Sequence, residues 1–192
     1  METKRDGLLT AARALLWERG YESTSPRDIM DASGAGQGSF YHHFDSKRDL
    51  AAAALDEVAD DLIAALGATF EPSKPALRRV HDWLAAPRKA LAGCKLGRLA
   101  QERSVVEDPE LRKPLTRYFR AVEKHLREAL IEAFKEGELS KSVTASDLAS
   151  MIVSVVQGGY VLSRVHDDPN KLAESVRAAR ALLTAQRPGR RR

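Results

Sequence analysis

The chain has 192 residues, 43% hydrophobic and 30% charged, with 31 Lys and Arg against 27 Asp and Glu for a formal net charge of +4. That suits one or two globular domains with apolar mass enough for a core. A single cysteine, Cys94, excludes an internal disulfide and a Cys-rich metal site.

Ala and Leu dominate over β-branched and aromatic residues, which favours helix over sheet. Leu8, Leu9, Ala12, Leu15 and Leu16 recur at helical spacing, and Gly20 stops that helix. Ser25-Pro26-Arg27-Asp28 reads as a helix start, with Ser25 capping, Pro26 at the first helical position and Asp28 in the box position. Ile29 and Ala32 face inward and Gly34 ends this short helix. After Gly34-Ala35-Gly36 a third short helix places Phe40 and Phe44 on one face. Ser46 and Asp49 open a longer helix through Leu50, Ala54, Leu55, Val58, Leu62 and Leu66, broken at Gly67.

Residues 75–85 read as a helix, 93–97 as a bend and 96–105 as a short helix. Asp108-Pro109 starts the longest helix, with a stripe of Leu111, Leu115, Phe119, Val122, Leu126, Leu130 and Ala133. Pro114 lies inside it and is expected to kink or delay its first turn. Thr144 to Asp147 form a capping box before an apolar helix at 148–162, in which Leu148, Met151, Ile152, Val155, Gly159 and Leu162 share a face. A last helix at 169–184 carries Leu172, Val176, Ala179 and Leu183 inward, and Arg187, Arg190, Arg191 and Arg192 form a basic tail at 187–192. The expected fold class is all-α: a three-helix helix-turn-helix domain at 1–48 and a helical bundle for ligand binding and dimerisation at 49–186.

Bulk charge does not argue for nucleic acid, because residues 1–50 hold seven basic and eight acidic residues. The argument comes from pattern. Two short helices joined by a glycine-containing turn fit a helix-turn-helix. The second of them presents Gln37, Ser39, Tyr41 and His42 away from its two phenylalanines. Gln pairs with adenine edges, Ser serves several bases, and Tyr and His reach phosphates. Lys47, at the start of the next helix, adds a charge to free backbone N–H groups, and the capped start at Ser25 offers the same beside Arg27.

The runs Glu18-Arg19-Gly20-Tyr21-Glu22-Ser23-Thr24-Ser25, Arg27-Asp28-Ile29 and Gly38-Ser39-Phe40-Tyr41-His42-His43-Phe44-Asp45-Ser46-Lys47 resemble the TetR/AcrR family of bacterial repressors over roughly residues 3–60. The resemblance implies an all-α dimer that binds successive major grooves of a palindromic operator and releases it when a small molecule enters the C-terminal region. By motif position it puts base contacts on Arg27, Gln37, Gly38 and Ser39, and phosphate contacts on Thr24, Ser25, Tyr41, His42 and Lys47. The chain departs from the family pattern at Ala35 and Gly36, where a larger apolar residue and a Ser or Thr cap are usual. The run from Gly93 to Glu102 resembles a subgroup that includes repressors of drug-resistance and flavonoid-responsive genes.

Trp83, Cys94, Phe119, Val122, Leu126 and Tyr160 are candidate lining for a pocket, with an apolar or aromatic effector expected; ordinary core packing is the alternative for each. Ser154, Gly158 and Gly159 let another helix approach closely, so the helices at 148–162 and 169–184 are expected to form a four-helix dimer seam. The helix from Ser46 to Leu66 is expected to relay effector binding. No cofactor or metal is expected: His42 and His43 are adjacent and point apart, and the charged N-terminus reads as no signal peptide. The 15-residue apolar stretch falls short of the ~20 a membrane span needs, so a cytoplasmic protein is expected. The rival readings are an enzyme, which lacks any nucleophile–base, metal or phosphate-loop pattern here, and a DNA-binding protein or activator without ligand control.

Overall fold

The computed structural model describes residues 3–140 and 143–186, so the basic tail at 187–192 lies outside the described residues. Among the described residues there are nine α-helices, one 3-10 turn and no strand: α1 Lys4–Arg19, α2 Pro26–Ser33, α3 Gln37–His43, α4 Lys47–Thr69, α5 Ala76–Ala85, the 3-10 turn Leu99–Gln101, α6 Arg103–Glu107, α7 Pro109–Lys135, α8 Ala145–Val165 and α9 Asn170–Ala185. The all-α expectation is met.

Contacts group the chain into two units, Met1–Leu62 with Lys95–Tyr118, and Ile63–Cys94 with the residues from Phe119 onward. This differs from a division at residue 48. Leu50, Ala51, Ala54, Leu55 and Val58 of α4 are buried in one apolar core with α1, α2 and α3, and Leu96, Leu99, Val105, Leu111 and Leu115 join that same core.

In the first unit, local signals set the helix ends. Thr3 and Asp6 form a reciprocal box at the start of α1, and Ser25 and Asp28 form another at the start of α2. Gly34 closes α2 in the left-handed region, at φ 66°. Gly36 precedes α3 in an extended conformation without a side-chain cap. Phe40 is fully buried and Phe44 nearly so; burying such a ring is worth roughly 1.5–3 kcal/mol, which fixes one face of a seven-residue helix that has little stability of its own.

Two expected helices differ. Residues 96–105 do not form one helix: Glu102 is extended, at φ −92° and ψ 124°, between the 3-10 turn and α6. The long helix is continuous from Pro109 through Pro114, with no delayed start. The Asp108 carboxylate accepts from the N–H groups of Glu110 and Leu111 and so caps its first turn. The carbonyl that Pro114 leaves without its helical donor belongs to exposed Glu110, which water reaches.

In the second unit, α8 runs from 145 to 165, longer than the 148–162 read from the sequence. Thr144 caps it by accepting from the Asp147 N–H, and the Thr144 hydroxyl donates to the Asp147 carboxylate. Ala149, Ile152, Val153, Val156, Gly159 and Ser163 are its buried face. Ile152 and Gly159 therefore belong to the interior rather than to the face of Met151 and Leu162. At Gly159 the helices α8 and α9 approach so closely that a Cβ would lie 2.7 Å from Leu172 Cδ1 and 3.1 Å from its Cα. The buried Ser163 hydroxyl accepts from the Leu172 N–H at 3.0 Å and caps α9 from a different helix.

Candidate nucleic-acid interface

Helix α3 turns two faces in opposite directions. Phe40 goes inward, while Gln37, Gly38, Tyr41 and His42 are exposed and Ser39 is half-buried. The Tyr41 ring meets Phe40 edge-on at 5.0 Å, which braces it while half of the residue stays open to solvent. Nothing lies within 4 Å of a Cβ built on Gly38, so the middle of this face is bare backbone. A flat, side-chain-poor centre flanked by Gln37 and Ser39 suits close approach to base edges in a groove. Arg27, on α2, is exposed and lies 3.8 Å from Asp31 as a loose i,i+4 ion pair.

The phosphate candidates divide. Thr24 is a correction: it is buried, and its hydroxyl donates to the Gly20 carbonyl at 2.6 Å. That side chain holds the loop and does not face a phosphate. Ser25 is exposed, yet its hydroxyl donates to the Asp28 carboxylate at 2.6 Å and its backbone N–H does so at 2.8 Å. A phosphate offers only acceptors, so Ser25 would have to give up these bonds to donate to one. The Ser25 N–H and hydroxyl are thus committed to Asp28, and at the start of α2 the Arg27 N–H is the donor left without a partner among the described residues.

Lys47 has a role that the sequence did not reveal. Its ammonium donates to the carbonyls of Tyr21 and Thr24, each at 3.0 Å, and lies 4.1 Å from the centre of the Tyr21 ring. Burial pushes its pKa below the ordinary lysine value, opposed by the carboxylates of Glu102 and Glu22. Two of its three protons are committed, and the third is what it can offer to DNA. The start of α4 remains open at backbone level: Ser46 accepts from the Asp49 N–H, and the N–H groups of Lys47 and Arg48 have no partner among the described residues.

The loop between α1 and α2 is also held from 80 residues away. Glu102 accepts from the N–H groups of Tyr21 at 3.1 Å and Glu22 at 2.7 Å. Arg98 donates to the Trp17 carbonyl at 2.6 Å and to that of Glu18, which caps the last turn of α1. Ser104 donates to the Glu22 carboxylate at 2.8 Å. Gly20 is required here twice over. Its φ is 92°, and a Cβ would lie 2.3 Å from the Glu102 carboxylate. The sole sequence trace of this arrangement is the Gly20 that reads as a helix stop.

The profile described as "Bacterial regulatory proteins, tetR family" matches residues 8–54, and that described as "Tetracyclin repressor-like, C-terminal domain" matches residues 75–179. The chain belongs to the TetR family. It is 31% identical over 179 residues to an HTH-type transcriptional regulator in the lacX 3′ region of Lactococcus lactis subsp. lactis, covering 90% of this chain and 89% of that one. It is 29% identical to the HTH-type transcriptional repressor DhaR of Mycobacterium sp., covering 84% and 82%. A TetR-family regulator from Agrobacterium tumefaciens shares the fold with a TM-score of 0.84 at 23% identity, over 96% of this chain and 98% of that one. This TetR-family chain is therefore a DNA-binding transcriptional regulator, of the repressor type.

The six candidate effector residues fall in the second unit. Trp83, Cys94, Val122 and Leu126 are buried, while Phe119 and Tyr160 are half-buried. Some of them come together. The Arg88 guanidinium lies 4.9 Å from the Trp83 ring centre. Burial pushes the Tyr160 phenol up to about 12, with the Cys94 thiol adding to the rise and Arg88 opposing it. Two clefts in this unit, of about 520 and 300 Å³, are lined by other residues.

Proposed function

We propose that this regulator binds a palindromic operator as a homodimer, reads base edges with Arg27, Gln37, Gly38 and Ser39, and is released by a small apolar or aromatic effector. The observation that carries the reading is the exposed face of α3 around bare Gly38, mounted on fully buried Phe40. Tyr41, His42, the third proton of Lys47 and the open start of α4 supply phosphate contacts.

Support for the dimer is an apolar stripe that the single chain leaves open. Met151, Gly158, Leu162 and Val165 of α8 are exposed and Val155 is half-buried, a spacing of 4, 3, 4 and 3 residues. Ala178, Leu182 and Ala185 continue it on α9. Nothing lies within 4 Å of a Cβ built on Gly158, so a partner helix has room there. By length and composition α8 is also apolar enough to cross a membrane. Its buried face is committed to α9 at Gly159, and a second copy covering the open stripe explains its apolarity without a bilayer. A cytoplasmic regulator follows from this reading.

The effector reading rests on the grouping of Trp83, Arg88, Tyr160 and Cys94 in the second unit, with Phe119, Val122 and Leu126 on α7. Trp83, Cys94, Val122 and Leu126 are buried, so an effector that reaches them selects an opened form, which lowers its apparent affinity by the population of that form. No catalytic step belongs to the reading.

Selection from random duplexes with the purified protein tests it, followed by a screen of aromatic compounds for release. The expected site is two-fold symmetric, with half-sites about 34–36 Å apart or a multiple of that. The expected effector releases wild-type protein and fails to release Tyr160→Ala. Leu162→Glu is expected to sediment as a monomer and lose the site; a dimeric Leu162→Glu that binds normally overturns the seam.

A further inference from the structure

Beyond any effector site of the second unit, the DNA-binding unit has a cleft of its own. It encloses about 280 Å³ and is lined by Thr10, Arg13, Ala14, Leu16, Trp17, Leu55, Val58, Lys95 and Leu99. Its floor is apolar, since Leu16, Leu55, Val58 and Leu99 are all buried in the core of that unit. Trp17 is half-buried, so indole surface faces the cleft.

The two cations at its rim differ. Arg13 is bound by Glu57 and Asp61 across α1 and α4, and its charge is spent. Lys95 is exposed, with no carboxylate partner among the described residues, and its ammonium lies 5.2 Å from the Trp17 ring centre. An apolar slot, one aromatic face and one uncompensated cation are together complementary to a flat aromatic ring that carries a single negative charge.

We propose that this cleft binds small aromatic carboxylates, with the ring against Trp17 and the carboxylate on Lys95. An occupant would touch Leu99 and Lys95, next to Arg98, which caps α1, and three residues before Glu102, which holds the Tyr21 and Glu22 N–H groups. It would therefore sit against the segment that fixes the loop leading into α2.

The test uses full-length protein labelled with 5-fluorotryptophan. Its two fluorine resonances, from Trp17 and Trp83, are assigned with Trp83→Phe. Titration with 2-naphthoate is expected to shift the Trp17 resonance saturably and leave that of Trp83 in place. Lys95→Gln is expected to weaken binding about fivefold, the effect of one partly exposed charge pair. The neutral 2-naphthamide is expected to bind wild type and Lys95→Gln alike. A shift confined to Trp83, the absence of saturation, or equal naphthoate affinity in Lys95→Gln would overturn the proposal. Lys95 is exposed and is not part of the buried core, so Lys95→Gln is expected to fold, and its circular dichroism and urea midpoint are expected to match wild type.

Discussion

Lys47 is the residue at which sequence and geometry part most clearly. As the first residue of α4 in a DNA-binding motif, it reads as a phosphate contact. In the folded chain its ammonium donates to the carbonyls of Tyr21 and Thr24 and pins the α1–α2 loop. Lys47→Ala is therefore expected to cost about 1–3 kcal/mol of stability, the worth of charged hydrogen bonds lost from a half-buried site. Urea unfolding checks this, and unchanged stability would return Lys47 to a purely DNA-facing role. Operator affinity is expected to fall for all sequences alike, because the loss acts through the loop that leads into α2.

Asp28 gives a pH signature at the same scale. Its hydrogen bonds with Ser25 hold its carboxyl below the ordinary value of 3.8. Thr3 does the same for Asp6, and Arg48 for Asp108. A depressed folded value means that these groups stabilise the fold fully above 3.8 and lose that effect as pH falls through the folded value. The urea midpoint is expected to drop in that acid range, and less steeply in Asp28→Asn. An equal slope in the two proteins would show that the box is not proton-linked.

At the scale of elements, what was legible was local. Caps at Ser25 and Thr144, the glycine stop at 34 and the stripe of α7 each depend on residues within a turn or two. What was not legible depended on distance along the chain. Glu102 is extended because it serves N–H groups 80 residues earlier, so the periodicity of 96–105 misled. Which face of α8 is buried likewise depends on where α9 crosses it, and helical periodicity does not carry that. Gly159 lies at that crossing and Gly158 does not. Gly159→Ala is expected to force the helices apart or displace Leu172 at a cost of about 1–3 kcal/mol. Gly158→Ala is expected to leave the chain's own packing intact. Thermal unfolding of the two variants separates them, and a Gly159→Ala as stable as wild type would refute the close crossing.

At the scale of the whole molecule, the first unit carries the exposed face of α3 and the second carries an exposed apolar stripe. The all-α architecture was legible from composition and periodicity. The division of the chain was not, because Leu96, Leu99, Val105, Leu111 and Leu115 return to the core of the first unit from far along the sequence. Neither bulk charge nor the start of α2 carries the DNA reading. It rests on α3, which displays Gln37 beside bare Gly38. The most direct measurement is operator selection with wild type and with Gln37→Ala, side by side. Wild type is expected to yield a two-fold symmetric site. Gln37→Ala is expected to lose preference at one position, repeated symmetrically in both half-sites, at a cost of ~1–3 kcal/mol per contact. An asymmetric site, or a Gln37→Ala preference identical to that of wild type, would contradict the account.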